Sequence, residues 1–435
     1  MDQVDTIIIG AGLAGLACAC RLAEADPEKQ VLVLERGDAP GAKNVSGGRL
    51  YLEPVRAHAE KTAKLFKGAP FERAVRRETI TLLADDAATS IDFLDEKTQV
   101  DPPHSVTVLR SKLDAWLGEK ATELGAFIVP QSRVIELLKD GQKIIGVKTE
   151  AGEEIGAPVV VAADGVLSFM AGEAGLREGF EPKRYAVAAK EILELDSGRI
   201  EDRFCLAENE GAARLFAGDI TGHGLLGGGF CYTNKDSLSL GIVVGIGGYA
   251  ELENGPKLPD LFERFKSHPE VKRLTSGAKV IEYAAHVIPE APQIDESKLV
   301  SDGLIVAGDA AGFALNLGIT VRGMDFALIS GEAAASAVIA CREKSDFSRA
   351  ALREAYVDTI RKSVVEEITK FSRMTEVLSN PRLYTDYPEG AAEVLRALFS
   401  VGGEKEALYR TAWPLIRKYF VNWRGFKDWW RMRKV

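Results

Sequence analysis

The residues that could support chemistry in this chain are glycines and carboxylates. Gly10, Gly12 and Gly15 stand in the order G-x-G-x-x-G. Glycine at the first position permits a tight turn, at the second lets backbone approach a pyrophosphate, and at the third lets a helix pack closely on a strand. Glu35 follows Gly15 by twenty residues; a carboxylate there can accept both hydroxyls of a ribose and repels a 2′-phosphate. Such a set works only between a buried strand and a helix N-terminus, where unpaired N–H groups and the helix dipole favour negative charge. The flanking residues predict those elements: Thr6–Gly10 (TIIIG) as a strand buried on both faces, Leu13–Ala25 as a helix, and Val31–Glu35 (VLVLE) as a second buried strand. The motif alone is weak, but with strand, helix, second strand and acidic terminus it predicts a dinucleotide site.

Two later motifs choose among dinucleotides. Ile305-Val-Ala-Gly308-Asp309-Ala-Ala-Gly312 places an aspartate between a buried strand and a helix, and resembles the GD motif of glutathione-reductase-type flavoproteins, in which the aspartate holds a ribityl chain. Val159–Ser168 (VVVAADGVLS), containing Asp164 and Gly165, resembles the DG motif of the aromatic-hydroxylase branch. The bland alternatives are a helix N-cap for Asp309 and a turn after a strand for Asp164-Gly165. Three motifs in one order imply non-covalent FAD. Another match to the glycine pattern, Gly222-His-Gly224-Leu-Leu-Gly227, has no buried strand before it, no helix pattern after it and no acidic residue about twenty positions on. It reads as a Gly-rich strand or loop, so reducing equivalents must come from a transiently docked nucleotide or from a protein.

The chain has 435 residues, 46% hydrophobic and 27% charged, with net charge −9, which suggests two joined domains and no general nucleic-acid role. Cys18, Cys20, Cys205, Cys231 and Cys341 form no C-x-x-C pair and fit no zinc or iron–sulfur pattern, and read as reduced thiols of a cytosolic chain. The first strand begins too near Met1 to leave room for a signal peptide. The longest apolar stretch, Ala327–Ala340, is interrupted by Glu332 and is not expected to span a membrane. Leu109–Leu124 predicts an amphipathic helix, Val129–Leu138 and Lys143–Thr149 a hairpin, and Pro158–Ala163 and Leu304–Ala307 buried strands. Residues 180–290 show alternating strands and no clean helix pair, and the region after 350 is helical.

The expected class is therefore α/β: a Rossmann-like FAD-binding domain of the glutathione-reductase type (GR2) with an inserted mixed-sheet domain for substrate or quinone and a helical C-terminal region. The expected boundaries are 1–180 for the first part of the FAD domain, 181–295 for the insert, 296–350 for the GD motif and its helix, and 351–435 for the helical region.

The segments GAKNVSGGRLY (41–51), VLRSKLDAWL (108–117), GGGFCYTNKDSLSLGIVVG (227–245), EYAAHVIPE (282–290) and AGDAAGFALNLGITVRGMDFAL (307–328) resemble the FixC-type flavoproteins of the electron-transfer-flavoprotein:quinone oxidoreductase family. The resemblance implies FAD, electron input from the α/β subunits of an electron-transfer flavoprotein, and a membrane quinone as acceptor. It puts Gly10, Gly12, Gly15, Glu35 and Arg36 around the adenosine and pyrophosphate, and Lys43, Asn44, Ser46, Gly47 and Gly48 near the flavin ring. Arg110 would meet pyrophosphate or ribityl, Asp309 the ribityl, and the backbone from Leu317 through Gly318 to Thr320 the isoalloxazine, with Gly318 suiting the start of a following helix. Gly308, Val134, Asp164 and Gly165 complete the expected cofactor-binding set; no catalytic side chain and no metal ligand is expected. Single-chain members carry four C-terminal cysteine ligands to an iron–sulfur cluster, whereas no cysteine follows Cys341 here; the resemblance then implies a separate small ferredoxin-like subunit of the FixX type. A geranylgeranyl-reductase-type prenyl reductase, an aromatic hydroxylase and a non-enzymatic assembly flavoprotein stay open. The first typically carries a YxWxFP-like segment near Phe230–Asn234, which here reads FCYTN.

Residues 409–435 hold eight basic residues against one acid, Asp428, and four of the five tryptophans. That composition suits a membrane interface, an acidic partner protein or a packed helix with a basic outer face. With the family it implies a peripheral position on the inner face of the cell membrane.

Overall fold

The computed structural model describes residues 2–42, 47–94, 100–221, 224–253, 255–290, 294–402 and 407–433. Its first layer is a six-stranded sheet in the order Val300–Ser301, Leu304–Val306, Val160–Ala162, Thr6–Ile9, Val31–Leu34, Phe127–Val129. All neighbours are parallel except the first pair. The helix Leu13–Ala25 returns the chain from the first strand to the next, and both strands are almost wholly buried, as a sheet covered on both faces requires. A four-stranded sheet lies in the order Asp2–Gln3, Glu154–Gly156, Lys143–Thr149, Val134–Asp140. It contains the expected hairpin, whose first strand begins at Val134 because Val129 belongs to the parallel sheet.

The large sheet has nine strands. Lys279–Pro289, Tyr185–Glu194, Ser237–Gly245, Gly227–Thr233 and Glu210–Gly218 come from the expected insert. Ala74–Leu83, Ser105–Val108 and Gly48–Tyr51 continue it, with Ala88–Leu94 beside Ala74–Leu83. Residues from the first 110 positions thus finish a sheet expected wholly within 181–295. The seam is the parallel pairing of Ala74–Leu83 with Glu210–Gly218. Arg73 fastens it: this buried guanidinium donates to the carbonyls of Asn234, Glu210 and Lys235, to Ser197 Oγ and to Glu201 Oε1. A helix pair, Leu258–Ser267 and Pro269–Thr275, covers one face with Leu261, Phe262, Phe265 and Val271 buried. The pair is absent from the sequence-based expectation because Pro269 divides it into two short periodic runs.

Gly222 and His223 lie outside the described residues; Gly224 leads into the strand Gly227–Thr233, with no helix after it. Met324–Glu343 is the one described helix long and apolar enough to cross a membrane, and it is packed inside the protein. Gly331 is what lets it approach the fingerprint helix, since a Cβ there would meet Ala14 O at 2.2 Å. Glu332, the residue that interrupts its apolar run, accepts the backbone N–H groups of Lys61 and Thr62 and so caps the helix Glu60–Leu65. The tail forms two amphipathic helices, Leu408–Tyr419 and Trp423–Met432.

Candidate functional site

The three fingerprint glycines do different work. Gly10 has φ +100°, and a Cβ on it would lie 2.4 Å from Ala163 O; a Cβ on Gly15 would lie 2.0 Å from Gly10 O. Both are demanded by the protein's own packing. Gly12 has φ −90°, which any residue can adopt, and the nearest protein atom to its missing Cβ is Arg110 Nη2 at 4.0 Å. The space above Gly12 is open, at the N-terminus of Leu13–Ala25, where a phosphate would sit.

Glu35 accepts the Ala11 N–H on one carboxylate oxygen at 2.8 Å and the Gly37 N–H on the other at 2.6 Å. These bonds lock its orientation, and each oxygen keeps a lone pair for a ribose hydroxyl. Arg110 opens the helix Arg110–Glu123. Its Nε and Nη2 each donate at 2.7 Å to the fully buried Asp114 carboxylate, a fork geometry that fixes the guanidinium. Among the described residues no protein group hydrogen-bonds the Asp309 carboxylate. Burial pushes it above the ordinary range, and Arg110 pulls it part of the way back. Asp164 accepts the Met170 N–H on Oδ2 at 3.1 Å while its buried Oδ1 has no hydrogen-bond partner among the described residues, and burial raises it too.

These groups line one cavity of about 1100 Å³. Gly10, Gly12, Glu35, Arg36, Gly47, Gly48, Arg110, Val134, Asp164, Gly165, Asp309 and Gly318 all face it. Gly15, Gly308 and Thr320 do not. Gly15 packs helix on strand, and Gly308 (φ +65°) donates its N–H to Ser330 Oγ. The Thr320 carbonyl accepts the Leu317 N–H across a turn. Lys43, Asn44 and Ser46 lie outside the described residues. Gly318 corrects an expectation: it does not begin the following helix. It sits at φ +78° in the tight turn between Leu315–Asn316 and Val321–Arg322, and the helix starts only at Met324, after Gly323. The turn needs a left-handed residue, which is the reason for glycine there.

The same cavity has an apolar lining that includes Leu215, Gly227–Phe230, Ile288, Phe371 and Leu378, and Met432 on the last tail helix also lines it. Glu290, His286 and Lys190 line it too and were given no role from the sequence, although the first two lie in the family-like segment 282–290. Glu290 accepts from Asn316 Nδ2 at 2.8 Å, and burial raises its carboxyl. His286 is lowered by burial, with Arg36 and Arg110 adding to the drop. Lys190 is buried on the strand Tyr185–Glu194. A lysine inside the apolar run YAVAAKEIL was the available signal.

The tail helix is held to the body by the only acid in residues 409–435. Asp428 Oδ2 accepts Arg382 Nη1 at 2.8 Å and Tyr387 Oη at 2.6 Å, and Arg382 Nη2 donates to the Tyr419 carbonyl at 2.7 Å. Burial, then Asp428, pushes the Tyr387 phenol up to about 12. The aromatic rings face outward: Trp423 is 70% exposed, and Phe426, Trp429 and Trp430 are about half exposed. Lys427 lies over the Trp423 ring and Arg433 over Trp429.

The family described as "DAO: FAD dependent oxidoreductase" matches residues 5–107. The chain is 43% identical over 404 residues to "Probable electron transfer flavoprotein-quinone oxidoreductase YdiS" of Escherichia coli K12, covering 93% of this chain and 92% of that protein. It is 42% identical over 410 residues to "Protein FixC" of the same strain, covering 94% and 93%. Among solved structures it is similar to a geranylgeranyl bacteriochlorophyll reductase-like protein of Thermoplasma acidophilum, with TM-score 0.72 and 20% identity over 98% of this chain and 99% of that one. At that identity the likeness speaks to the fold alone.

Proposed function

Since the chain belongs to the electron transfer flavoprotein–quinone oxidoreductase family that includes FixC, we propose that it takes electrons from an electron transfer flavoprotein and delivers them through FAD to a quinone at a membrane surface. The observation that carries this reading is that one cavity is lined both by the glycines and carboxylates expected to hold FAD and by apolar residues that include Met432 of the aromatic tail helix.

The residues present fit FAD. Glu35 would accept the adenosine ribose hydroxyls, and the N-terminus of Leu13–Ala25 with Arg110 would neutralise the pyrophosphate. The carboxylate of Asp309, without a donor among the described residues, would accept ribityl hydroxyls, which relieves the cost of burying it alone. FAD, when bound, supplies reversible uptake of one or two electrons. The protein's share is to bind, orient and exclude water. Electron delivery to an apolar quinone needs a short distance and an apolar path, which the lining from Leu215 to Met432 offers.

The exposed rings and cations of residues 409–433 form the surface for docking to an anionic membrane or to a small ferredoxin-like subunit of the FixX type. Each membrane-facing cation would contribute about 1 kcal/mol, less as salt rises. Deleting residues 409–435 should leave FAD content unchanged and lower quinone reduction. Loss of binding to anionic liposomes assigns the tail to lipid, and loss of co-purification with the ferredoxin-like subunit assigns it to the partner. In stopped flow, reduced electron transfer flavoprotein should reduce the bound flavin quickly and NADH only slowly; rapid reduction by NADH would refute the electron-entry route.

A further inference from the structure

The chain buries two cations in contrasting ways. Arg73 has five N–H groups and five acceptors. Lys190 is only 3% exposed, and among the described residues its Nζ has one hydrogen-bond partner, the Gly47 carbonyl. An ammonium carries three donors, so two are without an acceptor among the described residues, and Lys190 lines the cavity. Its cross-strand neighbours are Gly241 and Ala284, which offer no side-chain acceptor. A cation buried with one neutral acceptor is costly unless a ligand completes it.

The position of Lys190 along the cavity indicates which part of the cofactor completes it. Arg110 lies beside Gly12, at the phosphate end. Lys190 holds the Gly47–Gly48 loop on the other side: a Cβ on Gly48 would lie 3.1 Å from Met324 Cε, and Met324 opens the helix that follows the Asn316–Gly318 turn. Lys190 therefore stands on the ring side of Arg110. The charged and titratable groups facing it are Arg110 from its helix and Glu282 and His286 from the adjoining strand. Without a ligand, burial drives the amine well below its ordinary value, Arg110 drives it further, and Glu282 opposes. At Lys190 the push from Arg110 outweighs the pull from Glu282, so an electron-rich partner is what restores the ammonium.

We propose that Lys190 contacts the isoalloxazine of FAD, presenting its ammonium to the carbonyl edge of the ring and stabilising the negative charge that edge gains on reduction. The inference rests on the FAD assignment and not on the identity of the electron acceptor. No bond forms at Lys190: the electrons come from the donor protein, and the side chain keeps its protons.

The test uses the purified FAD-loaded chain and sulfite, which adds to an oxidised flavin ring to give an anionic adduct that a nearby cation stabilises. K190M and K190Q should weaken sulfite binding at least tenfold, and K190R should restore it. The midpoint potential should fall in the same variants by about 30 mV per tenfold for a two-electron couple. Variants that keep FAD with sulfite affinity and potential within about twofold of the unmodified protein would overturn the proposal and leave Lys190 as a tie to the Gly47 loop. Should the variants fail to fold, the unmodified protein decides: an FAD-loaded chain that binds sulfite no more tightly than free FAD does is equally fatal. A chain that purifies without FAD would refute the cofactor reading itself, whereas failure to reduce quinone would leave this inference standing.

Discussion

Replacing Asp428 with alanine should release the last helix from the body of the protein. Asp428 joins that helix to Arg382 and Tyr387 through two hydrogen bonds to one carboxylate oxygen. Bonds to a charged group contribute about 1.5–3 kcal/mol each. They do not add fully here, because Arg382 keeps Asp386 and the Tyr419 carbonyl. A loss of about 3 kcal/mol is the working figure, in line with breaking a mostly buried pair; at 1.4 kcal/mol per decade this is roughly 150-fold in the opening equilibrium. Little else opposes opening, since the helix buries only Gly425 and Asp428. Trypsin reports the change directly, because Arg424, Lys427 and Arg431 lie in the helix and cleavage tracks the open population when reclosing is fast. The cleavage rate should rise about a hundredfold while FAD absorbance is unchanged. Asp428→Asn, which keeps an acceptor for Tyr387 but loses the charge, should fall between the two. Unchanged cleavage in Asp428→Ala would refute the reasoning and assign the docking to the aromatic contacts instead.

Gly12→Val should fold with stability close to that of the unmodified apoprotein, because the added Cβ meets only Arg110, and should purify without FAD; calorimetry with absorbance at flavin wavelengths checks both. Asp309→Asn should weaken FAD binding yet stabilise the apoprotein at neutral pH. The sign follows from the raised carboxyl: the folded state holds this proton more tightly than the unfolded chain, so stability is lost as pH rises from about 4 through the folded value, and the substitution removes that loss. Denaturant melts at pH 7 should therefore favour Asp309→Asn, and the gap should close as pH falls toward about 4. A gap independent of pH would refute the assignment.

The parallel βαβ unit was legible because its signals are local. The helix Leu13–Ala25 begins and ends where its apolar period does, and the strands Thr6–Ile9 and Val31–Leu34 are continuous apolar runs. The GD and DG aspartates were legible as motifs, and the structure brings both to the cavity that Gly12 and Glu35 face. The make-up of the large sheet was not legible. Nothing near Ala74 announces that it pairs with Glu210, because parallel pairing is set by tertiary packing and not by a turn between the partners. The start of the helix at Met324 was misplaced because Gly318 serves a turn, and one glycine signals either. Lys190 was overlooked because an isolated lysine in a strand ordinarily marks an exposed position, and only the three-dimensional surroundings show it buried.

The seam between residues 74–83 and 210–218 bears on how the chain is made. On the ribosome, Ala74–Leu83 emerges well before its parallel neighbour, and Val160–Ala162 waits for Leu304–Val306 on its far side. Neither sheet can close until most of the polypeptide has left the exit tunnel, so both present open edges during synthesis, a state prone to mispairing. Cofactor capture, which needs Gly12 and Asp309 in one cavity, is therefore a late event, and nascent chains arrested before residue 300 should hold no flavin.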